Sequence, residues 1–419
     1  MSSADRRRLG SPSLSAIVAA NMIGAGVFTT SGFALADLGS RGPVLWAWLL
    51  GGVIALLGAV SYGALAARLS ESGGEYLFLS RSLHPRIGFL AGWVSIWAGF
   101  TGAIALAAEA AQAYVAPWVP NSVPLDVVGS LAIVAAGVVH TSGVHRGVLV
   151  QNLVVTAKLL LLVGLVVVGA AQLETHAAPP PKEFGFATFA VTMIWISLSY
   201  SGWNAAVYVA GEARDPQRTL PRSMLVGTAC VTVLYLALNW IFVSAAPVSE
   251  LAGKSDIAAV AARALGGAPL EKLVRVVLVV ALLTSVSSMV MIGPRVIARM
   301  ADDGRLPRSF AFHGSVPRAA IWTQVALSVA ILWMSGLREQ LTNLGWILSV
   351  FTALSVIGLM RLRKREGAER VPIPGYPFVP VLFVVAVLGL AGTMAFTSAG
   401  ELWPALVLLA TGALFGRIK

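Results

Sequence analysis

Charge is scarce in this chain. Only 12% of its 419 residues are Asp, Glu, Lys or Arg, about half the share of a soluble globular domain. A mean hydropathy of +0.81 with 57% hydrophobic residues leaves too little polar surface to solvate a soluble fold of this size. Cysteine is nearly missing as well. The single Cys230 lies in an apolar run, which excludes an intrachain disulfide and a thiolate metal site. The five histidines show no metal-ligand spacing, so neither a metal nor another cofactor is expected. Acidic residues number 19 against 30 basic ones, and the resulting charge of +11 would suggest a nucleic-acid partner only if the basic residues formed one patch.

What the chain has instead is apolar runs bounded by charge, Pro and Gly. Twelve can be read, at 13–36, 44–67, 87–115, 124–140, 148–172, 187–209, 222–246, 270–300, 319–336, 341–361, 379–398 and 401–416. They are continuous rather than alternating, so the predicted class is an all-α integral membrane protein of about 12 transmembrane helices, not a barrel. The basic residues sort by side. Twenty-two of the 30 fall in the segments before the odd-numbered spans or at the termini, seven fall in the opposite segments, and Lys158 lies inside the fifth span. By the positive-inside rule both termini are cytoplasmic, and the excess charge reflects topology rather than a nucleic-acid footprint. The start, three arginines followed by an apolar stretch, imitates a signal peptide, but it runs into a glycine-rich motif and reads as a retained first span.

Two spans carry unusual interiors. The first holds Ile23-Gly24-Ala25-Gly26-Val27 and the sixth holds Ser199-Tyr200-Ser201-Gly202-Trp203-Asn204. Glycines beside hydroxyl and amide side chains at bilayer depth are where a helix unwinds, provided that the freed backbone lines a cavity. Each opens a unit of five spans. Two five-span copies must have opposite orientation, so residues 13–172 and 187–361 are expected to form a five-plus-five inverted repeat with discontinuous helices 1 and 6. Residues 1–12 form a cytoplasmic N-terminal segment, and the two C-terminal helices, 379–416, lie outside the repeat. Unwound here, the N–H groups of Ala25, Gly26 and Val27 suit a carboxylate, while the carbonyls of Ile23, Leu198, Ser199 and Ser201 suit an ammonium. The pair of breaks would therefore receive the zwitterionic head of an α-amino acid. The plainer alternative is that Gly24 and Gly26 only allow two helices to approach closely.

The run Ile23-Gly24-Ala25-Gly26-Val27-Phe28, the stretch Arg68-Leu69-Ser70-Glu71-Ser72-Gly73-Gly74-Glu75-Tyr76 and the segment Tyr200-Ser201-Gly202-Trp203-Asn204 resemble those of amino acid permeases of the amino acid, polyamine and organocation (APC) superfamily. So do Val209-Ala210-Gly211-Glu212, Asp215-Pro216-Gln217-Arg218, Leu220-Pro221-Arg222 and Asp303-Gly304-Arg305-Leu306-Pro307. The resemblance implies the five-plus-five fold with two extra helices and an amino acid site on spans 1 and 6. It departs at Leu198, where members often carry an aromatic gate; Tyr200 or Trp203 could substitute.

Lys158 costs about 2.5 to 3.5 kcal/mol at mid-span and is functional by default, the alternatives being snorkelling or a contact to backbone carbonyls. In the resembling family a fifth-span lysine stands where sodium-coupled relatives bind sodium, next to the first break and to hydroxyls of the eighth span. Ser285 and Ser288 are the matching hydroxyls, and the ammonium would replace the cation or carry a proton. Glu109, toward the outer end of span 3, reads as a proton acceptor, a cation contact or a solvated helix-end charge. Glu71 and Glu75 belong to one cytoplasmic loop and Glu212, Asp215 and Arg218 to another; ion pairs between the two would close an inner gate, and surface solvation is the default.

The expectation is a sodium-independent secondary transporter of small or neutral amino acids in the cytoplasmic membrane, with protons or a second amino acid as the coupled species. Transport of amines or cationic amino acids on the same fold is the alternative. A membrane enzyme would need a constellation of catalytic side chains at depth, where only Lys158 and Glu109 stand, and a channel would show rings of like residues.

Overall fold

The computed structural model describes residues 9–71, 73–141, 147–174, 182–311 and 317–416. The expectations that concern Arg6 to Arg8, Ser72, Arg146, Arg417, Lys419 and the side chain of Glu212 lie outside the described residues.

The described residues are helical, with one isolated bridge between Leu9 and Ala213. In chain order the helices are α1 (Ser11–Met22), α2 (Ala25–Leu38), α3 (Arg41–Arg68), α4 (Gly74–Ser82), α5 (Pro85–Val94), α6 (Ala103–Val115), α7 (Leu125–Thr141), α8 (Gly147–Gln172) and α9 (Phe186–Ser199). They continue with α10 (Ala205–Tyr208), α11 (Pro216–Ser244), α12 (Val248–Leu251), α13 (Ile257–Asp302), α14 (Arg318–Met334), α15 (Leu337–Glu366), α16 (Phe378–Thr397) and α17 (Trp403–Phe415). A π-helical segment, Ser95–Gly102, joins α5 to α6 without a break in direction.

Among the described residues six helices are long and apolar enough to cross a bilayer: Arg41–Arg68, Pro85–Trp118, Pro216–Ser244, Ile257–Asp302, Leu337–Glu366 and Phe378–Thr397. The α1 and α2 pair qualifies as one span bent by 42°. Five shorter apolar helices fall on the remaining runs. The 46-residue α13 is two helices joined at Gly266 and Gly267, where Gly267 has φ +67°, so the eighth run begins only beyond that corner. Arg275, buried, holds the corner from below through Asp256 Oδ2 (2.6 Å), Glu271 Oε1 (2.9 Å) and the Tyr114 carbonyl (3.3 Å).

α11 packs along α3 and α1, α13 along α6 and α8, and α15 along α9 and α16. The α3–α11 contact is close because Gly52 and Gly63 face Thr232 and Pro221 with no room for a β-carbon. Between helices in lipid, van der Waals contact of this kind supplies much of the association that the hydrophobic effect supplies in water.

Candidate functional site

α1 stops at Met22 although Ile23, Ala25 and Val27 are good apolar span residues; the turn closes with Gly24 N–H on the Met22 carbonyl (2.8 Å), and Gly24 adopts an extended φ/ψ before α2 begins. Breaking a helix in lipid strands carbonyls that cost several kcal/mol each unless they are satisfied. Two of the freed carbonyls, those of Met22 and Ile23, are answered by side chains. Lys158 Nζ, on α8 and 3% exposed, donates to the Ile23 carbonyl at 2.7 Å. Tyr235 Oη, on α11, donates to the Met22 carbonyl at 2.6 Å and reaches the Ser199 carbonyl at 3.3 Å. The donors are treated differently: no side chain caps the N terminus of α2, whose first residues Ala25, Gly26 and Val27 are buried. A break with its acceptors satisfied and its N–H groups left over is an anion-binding end.

The second break spans Tyr200 to Asn204 between α9 and α10, with Gly202 at φ +99°. It lies directly against the first. A β-carbon on Gly202 would stand 2.7 Å from the Asn21 carbonyl oxygen, and one on Gly26 would stand 2.7 Å from the Ser199 α-carbon. Ser199 Oγ is 2.9 Å from Thr30 Oγ1 and donates to the Trp195 carbonyl at 2.9 Å. The residues singled out in the two motifs, Ile23 to Val27 and Leu198 to Trp203, are thus brought to one place by two crossing interruptions, and Lys158 joins them.

Several finer expectations do not hold in this geometry. Lys158 meets the first break but bonds neither Ser285 nor Ser288: Ser285 Oγ donates to the Ala281 carbonyl of its own helix at 3.1 Å. Carbonyl oxygens of Ile23, Leu198 and Ser199 are not free, since Leu198 accepts from Ser201 N–H at 2.9 Å and the other two accept from Lys158 and Tyr235. Neither aromatic forms a lid over the first break. Tyr200 Oη donates to the Trp48 carbonyl on α3 at 3.0 Å, and Trp203 packs edge-on to Tyr62 at 4.7 Å and against Phe383. Leu198 lines a cavity of about 50 Å³ shared by Ser197, Ser201 and Ser349, on the α15 and α16 side of the break. Glu109 caps a helix: its Oε1 accepts from Leu337 N–H and its Oε2 from Gln340 Nε2, both at 2.7 Å, at the positive end of α15.

Two groups escaped the sequence reading. Tyr235 gave no signal, because a tyrosine in an apolar span reads as packing until its partner is known. Glu75 was assigned to solvent, yet it is only 6% exposed: its Oε1 accepts from Asn204 Nδ2 (2.6 Å) and Tyr62 Oη (3.3 Å), and its Oε2 from Tyr208 Oη (2.6 Å). The carboxylate therefore ties α4 to the second break. At the opposite end Arg338 on α15 pairs with Asp37 on α2 and lies 4.7 Å over the Trp195 ring.

A profile of the amino acid permease family matches residues 9–413. The chain is 28% identical to the serine/threonine exchanger SteT of Bacillus subtilis (strain 168) over 394 residues, covering 91% of this chain and 89% of the relative. It is 25% identical to the mouse Asc-type amino acid transporter 1 and 24% identical to the human large neutral amino acids transporter small subunit 2, covering 91% of this chain in each case and 75% and 74% of those proteins. With two crossing helix breaks and a family match over nearly its whole length, the chain belongs to the amino acid permeases of the amino acid, polyamine and organocation superfamily, integral membrane proteins that transport amino acids.

Proposed function

We propose that the protein is a sodium-independent exchanger of small neutral amino acids, working by alternating access around the two crossed breaks of a five-plus-five inverted repeat. One observation carries this reading: at the first break the Met22 and Ile23 carbonyls take side-chain donors, one of them the Lys158 ammonium, while the N–H groups of Ala25, Gly26 and Val27 have no side-chain cap. The substrate carboxylate docks on those N–H groups. Its ammonium takes the Ser201 carbonyl and the second lone pair of Ser199. Neither break contains an acidic or basic side chain to pair with a charged substrate side chain, which favours neutral substrates over arginine, lysine or simple amines. The names of the relatives, a serine/threonine exchanger among them, support both the substrate class and the exchange mode. The charge bias of the loops supports a cytoplasmic membrane location with both termini inside.

Competition against radiolabelled serine uptake in proteoliposomes tests the reading. Alanine, serine and threonine are expected to compete, and ethanolamine and propionate, each lacking one half of the zwitterion, are not. Better competition by arginine, lysine or a decarboxylated amine would overturn it.

A further inference from the structure

The arginine-rich C-terminal end of α15 carries more cations than its surroundings use. Cations near a helix C terminus answer the helix dipole and the positive-inside rule in any membrane protein, so their presence alone assigns nothing. Their partners separate them. Arg363 donates to the Val371 carbonyl at 2.7 Å and lies 4.3 Å over the Tyr376 ring. Arg365 pairs with Glu366 at 3.2 Å, and Arg68 pairs with the same carboxylate at 2.7 Å. Arg361 and Lys364, both exposed, have no acidic partner among the described residues.

Helical spacing puts those two unpaired cations on one face. Ile357, Met360, Arg361 and Lys364 follow i, i+3, i+4, i+7, and they face Val381, Val384 and Val385 of α16, which follow i, i+3, i+4. Between the two stripes lies a cavity of about 640 Å³ with no acidic side chain in its wall. Val381 and Val385 are 40% and 62% exposed on a helix apolar enough to span a bilayer, so this wall faces lipid tails while the two cations mark the headgroup level.

We propose that this groove between α15 and α16 binds an anionic phospholipid, its phosphate held by Arg361 and Lys364 and its acyl chain lying along Val381, Val384 and Val385. A guanidinium grips phosphate oxygens bidentately, and an ammonium adds a point charge beside it. Basic pockets between helices at this depth suit headgroups that carry net negative charge. A zwitterionic headgroup gains less here: no carboxylate is present to meet a choline or ethanolamine nitrogen, and Arg363 already covers a face of Tyr376 that could have received it. A small soluble phosphate would meet the same cations but leave the valine wall uncovered. The proposal does not rest on the transport reading.

Native mass spectrometry of the purified full-length protein, titrated with dioleoylphosphatidylglycerol or dioleoylphosphatidylcholine, reads the site directly. Phosphatidylglycerol is expected to be retained about tenfold more strongly than phosphatidylcholine, with that preference lost in the Arg361→Gln/Lys364→Gln double variant. Val385→Trp, which fills the groove and keeps both cations, should also lose phosphatidylglycerol, and glycerol 1-phosphate at equal concentration should not displace it. Equal retention of the two lipids by the wild-type protein overturns the proposal, and this arm stands even if a variant fails to fold. Unchanged preference in a folded double variant, or displacement by glycerol 1-phosphate, overturns it as well.

Discussion

Gly26 of α2 rests on Ser199 of α9 so closely that a β-carbon there would overlap the serine hydroxyl. Gly24, two residues earlier in the same motif, meets only the Met22 carbonyl, 3.9 Å from where its β-carbon would stand, and its φ of −116° is open to any residue. Gly26→Ala is therefore expected to abolish transport, the added methyl costing about 1 to 3 kcal/mol of overpacking at the crossing. Gly24→Ala is expected to retain most of it. Initial serine uptake by the two variants at matched protein level checks the contrast, and equal loss in both would show that the crossing is not what the glycines protect.

Lys158→Ala removes the donor from the Ile23 carbonyl. An unsatisfied buried acceptor costs about 1 to 3 kcal/mol, but deleting an ammonium from the bilayer interior relieves a comparable penalty. Transport should fall far more than the amount of folded protein in the membrane. Parallel measurement of both is the check, with wild-type uptake in the variant returning Lys158 to a packing role.

Glu75 accepts three hydrogen bonds across α3, α4 and the second break. Glu75→Ala strands three buried donors and should lower thermal stability in detergent. Glu75→Gln keeps an acceptor for Asn204 and should be milder. Ranking the melting temperatures of the two variants tests this, and a Gln variant as unstable as the Ala variant would mean that charge, not acceptor count, holds the contact.

Asp37 and Arg338 pair across α2 and α15 at the end away from Glu75. The arginine is half exposed, so the pair adds about 0 to 1 kcal/mol to stability. Its effect should appear in function instead: Arg338→Asp is expected to impair uptake, and the Asp37→Arg/Arg338→Asp swap to restore part of it. A swap no better than the single variant would indicate that the cation over Trp195, rather than the pair, matters.

The apolar helices were legible because a membrane demands continuous apolar runs, and the breaks because glycine, serine and asparagine are conspicuous in them. Helix rotation is a different matter. Hydropathy does not say which way Ser285 points, so its bond within α13 could not be foreseen; of the two kinds of acceptor expected for Lys158, it bonds the first-span carbonyl and not the eighth-span hydroxyls. Glu109 was read by its distance from the bilayer edge, yet what decides its role is the start of α15, 228 residues away in sequence. Glu75 was misjudged for the same reason: it stands in the first turn of α4 and accepts from Tyr208 of α10, a contact that no local pattern records.

The central claim is that the Lys158 ammonium occupies the role of a bound cation at the first break. Two unit charges about 4 Å apart repel by about 4 kcal/mol in a partly screened site, which is enough to keep sodium out. Serine uptake into proteoliposomes with sodium replaced by choline at constant ionic strength tests this most directly. Equal initial rates in the two buffers are predicted, and a strict requirement for sodium would contradict it.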